Sequence, residues 1–145
     1  MVFQRIIAGF VAGFVAVLVF HQTTLLLLHL AGVTPALPWR MDPVPPFGVP
    51  AVLSSAFWGG LWGILLAWLL PQFPRAASYW SAALLFGAVA LSLVAWFVVL
   101  PLKGFPPGNG FALPGVITGL TVNGAWGIGT ALFLRLPAVV RRPPK

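Results

Sequence analysis

The sequence predicts an all-α integral membrane protein. Four transmembrane helices form two helical hairpins that repeat in parallel, with both termini cytoplasmic. Three observations carry this expectation. The chain is too apolar for water, four long apolar runs are each bounded by proline or charge, and the second and fourth runs match at a fixed offset.

Of the 145 residues, 60% are hydrophobic and only 6% charged. A soluble domain has about a quarter of its residues charged. The mean hydropathy is +1.02. So little polar surface cannot cover a globule in water, and a lipid bilayer supplies the missing apolar solvent. The length suits a single transmembrane domain over 1–145, with repeat 1 about 1–75 and repeat 2 about 76–145. The net charge of +7 comes from eight Lys/Arg against one acid, Asp42. These charges flank the apolar runs and gather on no soluble face, so they read as orientation signals and not as a nucleic-acid surface. With no cysteine in the chain, disulfides, thiolate chemistry and iron–sulfur ligation by its own residues are excluded.

A spanning helix needs about 20 mostly apolar residues. The first run, Ile6 to Leu30, is too long for the core of a signal peptide. It carries His21, Gln22, Thr23 and Thr24, and no small-residue cleavage site follows, so it is expected to stay in the membrane. A loop over 31–49 comes next. Six prolines between Pro35 and Pro50 favour an extended, stiff cover over the helix ends. The second run, Pro50 to Leu70, stops at the prolines and Arg75 of the 71–75 stretch. The third run is Ser78 to Leu100, the second loop 101–112, and the fourth run Leu113 to Leu136. Pro50 and Pro114 are expected in first turns, where a missing N–H breaks no bond. Arg5, Arg75, Arg135, Arg141, Arg142 and Lys145 fall on one side, and Arg40 and Lys103 fall on the other with Asp42. The positive-inside rule puts the first set in the cytoplasm. Trp68, Tyr79 and Trp80 then read as interfacial anchors.

An offset of 64 residues aligns Phe47 with Phe111 and Pro50 with Pro114. It also pairs Gly60 with Gly124, Trp62 with Trp126, Gly63 with Gly127 and Ile64 with Ile128. Small residues recur every fourth position in both runs: Ala51, Ser55, Gly59, Gly63 and Ala67, then Gly115, Gly119, Asn123, Gly127 and Ala131. Residues four apart lie nearly over one another, so each run carries a stripe of small residues. In lipid, close backbone approach draws helices together, and such stripes are expected to be packing surfaces. The first and third runs carry small pairs of their own, Gly9/Gly13 and Ala83/Gly87, at an offset of 74. Two hairpins of equal orientation would be parallel repeats about an axis along the membrane normal.

The residues with chemical potential are few. Trp58 and Trp62 border the stripe about 100° from Gly59 and Gly63. With Trp126 they could fill space beside glycine or wall a flat ligand such as a quinone, carotenoid or chlorin. His21 and His29 are the only histidines. Eight residues of helix separate them by about 12 Å and about 80°, which rules out ligation of one haem iron from opposite faces and leaves His21 as a candidate for a hydrogen bond to a neighbouring helix, or for a single ligand to a haem or chlorophyll shared with another subunit. Asn123 stands in the stripe where the first repeat has Gly59. It is expected to bond a neighbouring helix, with a solute path as the alternative. No acid lies in any span, and no paired carboxylates, nucleophile–histidine set, metal cluster or phosphate-binding glycine loop is present. No metal or cofactor is predicted.

These features point to a small non-catalytic protein of a bacterial inner membrane, acting as an accessory or structural subunit packed against a larger membrane complex. The alternatives are a homo-oligomeric minimal channel or carrier built around Asn123, and a binder of a hydrophobic pigment or quinone at the tryptophans. The bacterial setting rests on six Arg against two Lys and on abundant Ala, Gly and Pro.

Overall fold

The computed structural model describes residues 2–74 and 76–140. Four helices are long and apolar enough to cross a membrane: α1 (Val2–Leu30), α2 (Ala51–Gln72), α3 (Ala77–Leu102) and α4 (Leu113–Leu136). The four runs read from the sequence are these four helices, with ends moved by a few residues. The α4 helix continues to Val140. Arg75, Arg141, Arg142 and Lys145 lie outside the described residues.

Adjacent helices run antiparallel, and their packing is set by where backbone can meet backbone. On α1 and α2, Gly13 lies against the Gly59 carbonyl and Gly63 against the Gly9 carbonyl. A Cβ at Gly9 would sit 2.7 Å from the Ile64 Cα. On α3 and α4, Gly87 lies against the Asn123 carbonyl and Gly127 against the Ala83 carbonyl. A side chain at any of these glycines would hold the partner helix away, which forfeits the dispersion contacts that drive association in lipid.

The two pairs meet unequally. The α1 helix packs along α4, whereas α2 and α3 share no extended contact. At the α1–α4 seam Gly129 admits the Phe20 ring, whose Cβ lies 3.0 Å from where a Gly129 Cβ would be. Phe20 also meets Phe133 edge to face at 5.8 Å. The core sits at this seam and includes Ala16, Val17, Leu66, Tyr79, Trp126 and Ala131.

Three stretches widen from α to π geometry: Val17–His21 in α1, and Phe86–Leu91 and Ala95–Val99 in α3. In the first, the Gln22 N–H bonds the carbonyls of Val17 and Val19. The Leu18 carbonyl accepts instead from the Trp39 indole at 2.9 Å.

The first loop holds a feature the all-α expectation did not include. Two short antiparallel strands, β1 (Pro43–Val44) and β2 (Val49–Pro50), pair Pro43 with Pro50 and Val44 with Val49. Pro50 therefore precedes α2 as its cap residue, while Pro114 is the second residue of α4. Pro50 offers no side-chain cap. The first N–H groups of α2 are satisfied by the loop itself: Ala51 donates to the Asp42 carbonyl and Val52 to the Arg40 carbonyl, both at 2.9 Å. The second loop turns through left-handed Gly108, Asn109 and Gly110. It sets Phe111 against Trp96 and Phe97 at 5.8 and 5.6 Å.

Candidate functional site

Of the residues singled out in the sequence, Trp126 and Gly59 meet at the seam between the two helix pairs, while Gly63, Gly127 and Asn123 pack within a pair. Trp126 is 1% exposed. Its indole N–H donates across the seam to the Gly13 carbonyl at 2.9 Å. Buried in an apolar surround, that donor needs a partner, and the partner ties α4 to α1. Gly59 makes room for it, since a Cβ there would come within 3.2 Å of the indole nitrogen.

The three tryptophans lie in three surroundings. Trp126 is enclosed. Trp62 is half-buried and meets Phe86 of α3 edge to face at 5.9 Å. Trp58 is 59% exposed, against Phe57. Phe86 touches both Trp62 and Trp126, the latter at 6.5 Å. It is the side chain between the pairs that the sequence reading missed.

The stripes divide along their length. Gly59, Gly63 and Ala67 are buried, as are Gly127 and Ala131. Toward the loop end Ala51 is partly covered and Ser55 is exposed, and a Cβ at Gly115 would meet nothing. Gly119 faces Trp96, whose ring would lie 3.2 Å from an added Cβ.

Asn123 donates from Nδ2 to the Ser92 hydroxyl at 3.0 Å, bridging α4 and α3. Ser92 is fully buried. Thr130, seven residues on, bonds back to its own helix at the Trp126 carbonyl, 2.9 Å away. The Tyr79 hydroxyl donates to the Ala131 carbonyl at 2.9 Å.

His21 sits beside Gln22, whose amide nitrogen approaches its Nδ1 at 3.4 Å. His29 Nδ1 bonds the Thr34 carbonyl in the first loop at 3.1 Å. The two rings thus have separate surroundings. Gln22 is 5% exposed, and its amide oxygen accepts the Trp39 backbone N–H at 2.8 Å. Trp39 therefore binds α1 twice, once through backbone and once through indole. A φ of +46° there is unusual for a bulky residue and is held by those two bonds. Beside it, the Arg40 Nε donates to Asp42 at 2.8 Å and holds that carboxyl below its ordinary range.

At the end bearing the termini, Arg5 stacks over Trp68 at 4.8 Å. Arg135 lies over Tyr79 at 3.9 Å and Trp80 at 4.9 Å. These are cation–π contacts in a layer where aromatic rings and arginines both find a wet and a dry side.

Two apolar grooves run along the outside of this end. One, about 300 Å³, lies between α1 and α4 and is lined by Ala8, Val11, Ala12, Val15, Phe133 and Leu136. The other, about 720 Å³, lies between α2 and α3. Leu69, Ala82, Leu85, Phe86 and Val89 are among its walls. Among the described residues no group of three or more His, Cys, Asp or Glu could hold a metal ion. No family model matches the chain, and neither a curated protein nor a solved structure is similar to it.

Proposed function

We propose that this chain is a small non-catalytic subunit of a bacterial inner membrane, packed against other membrane subunits, with both termini cytoplasmic. The observation that carries this reading is the use of its interior polar groups. Gln22, Ser92, Asn123 and Thr130 each bond another protein group, and so do the Tyr79 hydroxyl and the Trp126 indole. All but Thr130, which bonds back to its own helix, hold helices or the first loop together. Meanwhile Leu53, Phe57, Trp58 and Leu61 along about two turns of α2 stay exposed, as do Leu93, Phe97 and Val98 on α3. Such faces suit lipid or a neighbouring subunit.

The repeat belongs to the same proposal. Shifting Gly9 and Gly13 by 74 gives Ala83 and Gly87, and shifting Gly63 and Gly59 by 64 gives Gly127 and Asn123. These are the close contacts of the second pair, position for position. The grooves correspond too: Ala8, Val11, Ala12, Val15 and Phe133 map to Ala82, Leu85, Phe86, Val89 and Leu69. Phe86 in the place of Ala12 accounts for the wider second groove, because its bulk between the two tryptophans keeps α3 off α2.

Purification from native membranes in a mild detergent tests the reading. Foreign membrane subunits at fixed stoichiometry are expected. A homo-oligomer that conducts a solute after reconstitution would replace the subunit with a channel. A stoichiometric chromophore or quinone would replace it with a ligand carrier.

A further inference from the structure

The first loop turns back along the side of α1, toward the middle of the molecule. The helices α1 and α2 meet where Gly13 lies against the Gly59 carbonyl. From there α1 runs 17 residues to Leu30, whereas α2 runs only eight to Ala51. A rise of about 1.5 Å per residue carries α1 about 14 Å farther on the loop side. The loop occupies the step this leaves above α2. Trp39 bonds the Gln22 side chain and the Leu18 carbonyl, and Leu18 lies 12 residues back from the end of α1. The Asp42 and Arg40 carbonyls accept the first N–H groups of α2.

Lipid reaches the height of this step. The overhanging end of α1 carries Leu25, Leu26, Leu27, Leu28 and Leu30, and it is the last part of a membrane-spanning run. From its base, where Ala51 bonds Asp42, the hairpin has four residues in each arm before it turns. That is at most about 14 Å of extended chain, so its tip rises no higher than the end of α1.

The hairpin's chemistry suits that depth. No side chain from Pro43 to Pro50 is polar, and four of these eight residues are prolines. A proline has no N–H to leave unbonded away from water. Of the other residues, Gly48 donates to the Val44 carbonyl at 2.9 Å, and Val44 pairs with Val49. Phe47, in the turn, is 87% exposed. The two charges of the loop, Arg40 and Asp42, pair with each other at 2.8 Å.

We propose that the Pro43–Pro50 hairpin is a membrane anchor, with Phe47 seated among the lipids of the loop-side leaflet at the boundary of headgroups and acyl chains. On the orientation proposed above, that leaflet is the outer one. The anchor itself rests on neither the orientation nor the subunit reading.

The chain has no cysteine, so a single nitroxide reports depth. Purified Val49→Cys protein, spin-labelled and reconstituted alone in phosphatidylcholine vesicles, is compared with Lys103→Cys in the second loop. Oxygen concentrates in the bilayer and a nickel chelate in water. The label at position 49 is expected to meet oxygen more than nickel, and the label at position 103 nickel more than oxygen. Adding Phe47→Asp should reverse the ratio at position 49, because a carboxylate draws the tip into water, whereas Phe47→Leu should keep it. A label at position 49 as open to nickel as the one at 103 would place the hairpin in water and overturn the proposal. Shielding from both reagents would also overturn it, by burying the tip against a second copy of the chain. So would an unchanged ratio in the Phe47→Asp variant.

Discussion

Glycine identity matters at a few positions and hardly at all at others, although the sequence spacing treats them alike. A methyl group at Gly63 would run into the Gly9 carbonyl and the backbone of Gly13, and backbone cannot swing aside. Gly63→Ala is expected to destabilise the fold by about 1–3 kcal/mol, the usual range for overpacking. At Gly115 nothing lies within 4 Å, so Gly115→Ala should stay within about 0.5 kcal/mol of wild type. Unfolding in mixed micelles at increasing SDS fraction measures both. Equal stability of the two variants would mean that the Gly9–Gly63 contact does not hold α1 to α2. Periodicity could show that these residues share a face. It could not show where along the face a partner helix departs. Ser92 was invisible for a related reason: a serine in an apolar run reads as tolerated until Asn123 is found opposite it.

At the scale of elements, the four spans were legible because length and apolarity alone decide them. The π stretch at Val17–His21 was not. Its carbonyl at Leu18 is used by a residue 21 positions away, and local sequence carries no trace of that partner. The loop over 31–49 was expected as a stiff proline-rich cover, and of the six prolines between Pro35 and Pro50 two, Pro43 and Pro50, sit in its strand pair. What fastens it is Trp39, through Gln22 and Leu18, with Arg40 and Asp42 then placed to receive the first N–H groups of α2. Trp39→Phe removes one of these bonds and keeps the ring. A lost hydrogen bond of about 1 kcal/mol predicts roughly fivefold faster amide exchange at Ala51 and Val52. Hydrogen–deuterium exchange in detergent reads this directly. Unchanged exchange at both amides would show that the indole does not hold the loop down.

For the whole molecule, orientation is a separate question from packing, and charge decides it. Reporter fusions after Arg75 and Arg142 should report cytoplasm, and a fusion at Asp42 the exterior. A cytoplasmic signal at Asp42 would reverse the topology. Packing between the pairs was only half legible. The offset of 64 set Trp62 beside Trp126 as equals, yet one is open to Phe86 and the other enclosed and bonded to Gly13. The difference lies in the facing helix, where Ala12 on α1 is replaced by Phe86 on α3, and no alignment of α2 with α4 contains that information.

The central claim is that α4 closes on both α1 and α3, while α2 and α3 stay apart. The chain has no cysteine of its own, so paired cysteines test this cleanly. A Cβ at Gly129 would lie 3.0 Å from the Phe20 Cβ, and one at Gly124 would lie 3.4 Å from the Ala88 Cβ. Both are close to the Cβ separation of about 3.5–4.5 Å that a disulfide uses. Leu65 and Val94 occupy the same repeat positions as Gly129 and Phe20, on α2 and α3. In membranes treated with a mild oxidant, Phe20→Cys with Gly129→Cys and Ala88→Cys with Gly124→Cys should cross-link within one chain. Leu65→Cys with Val94→Cys should not. Rapid cross-linking of the Leu65 and Val94 pair, with none at Phe20 and Gly129, would contradict the account.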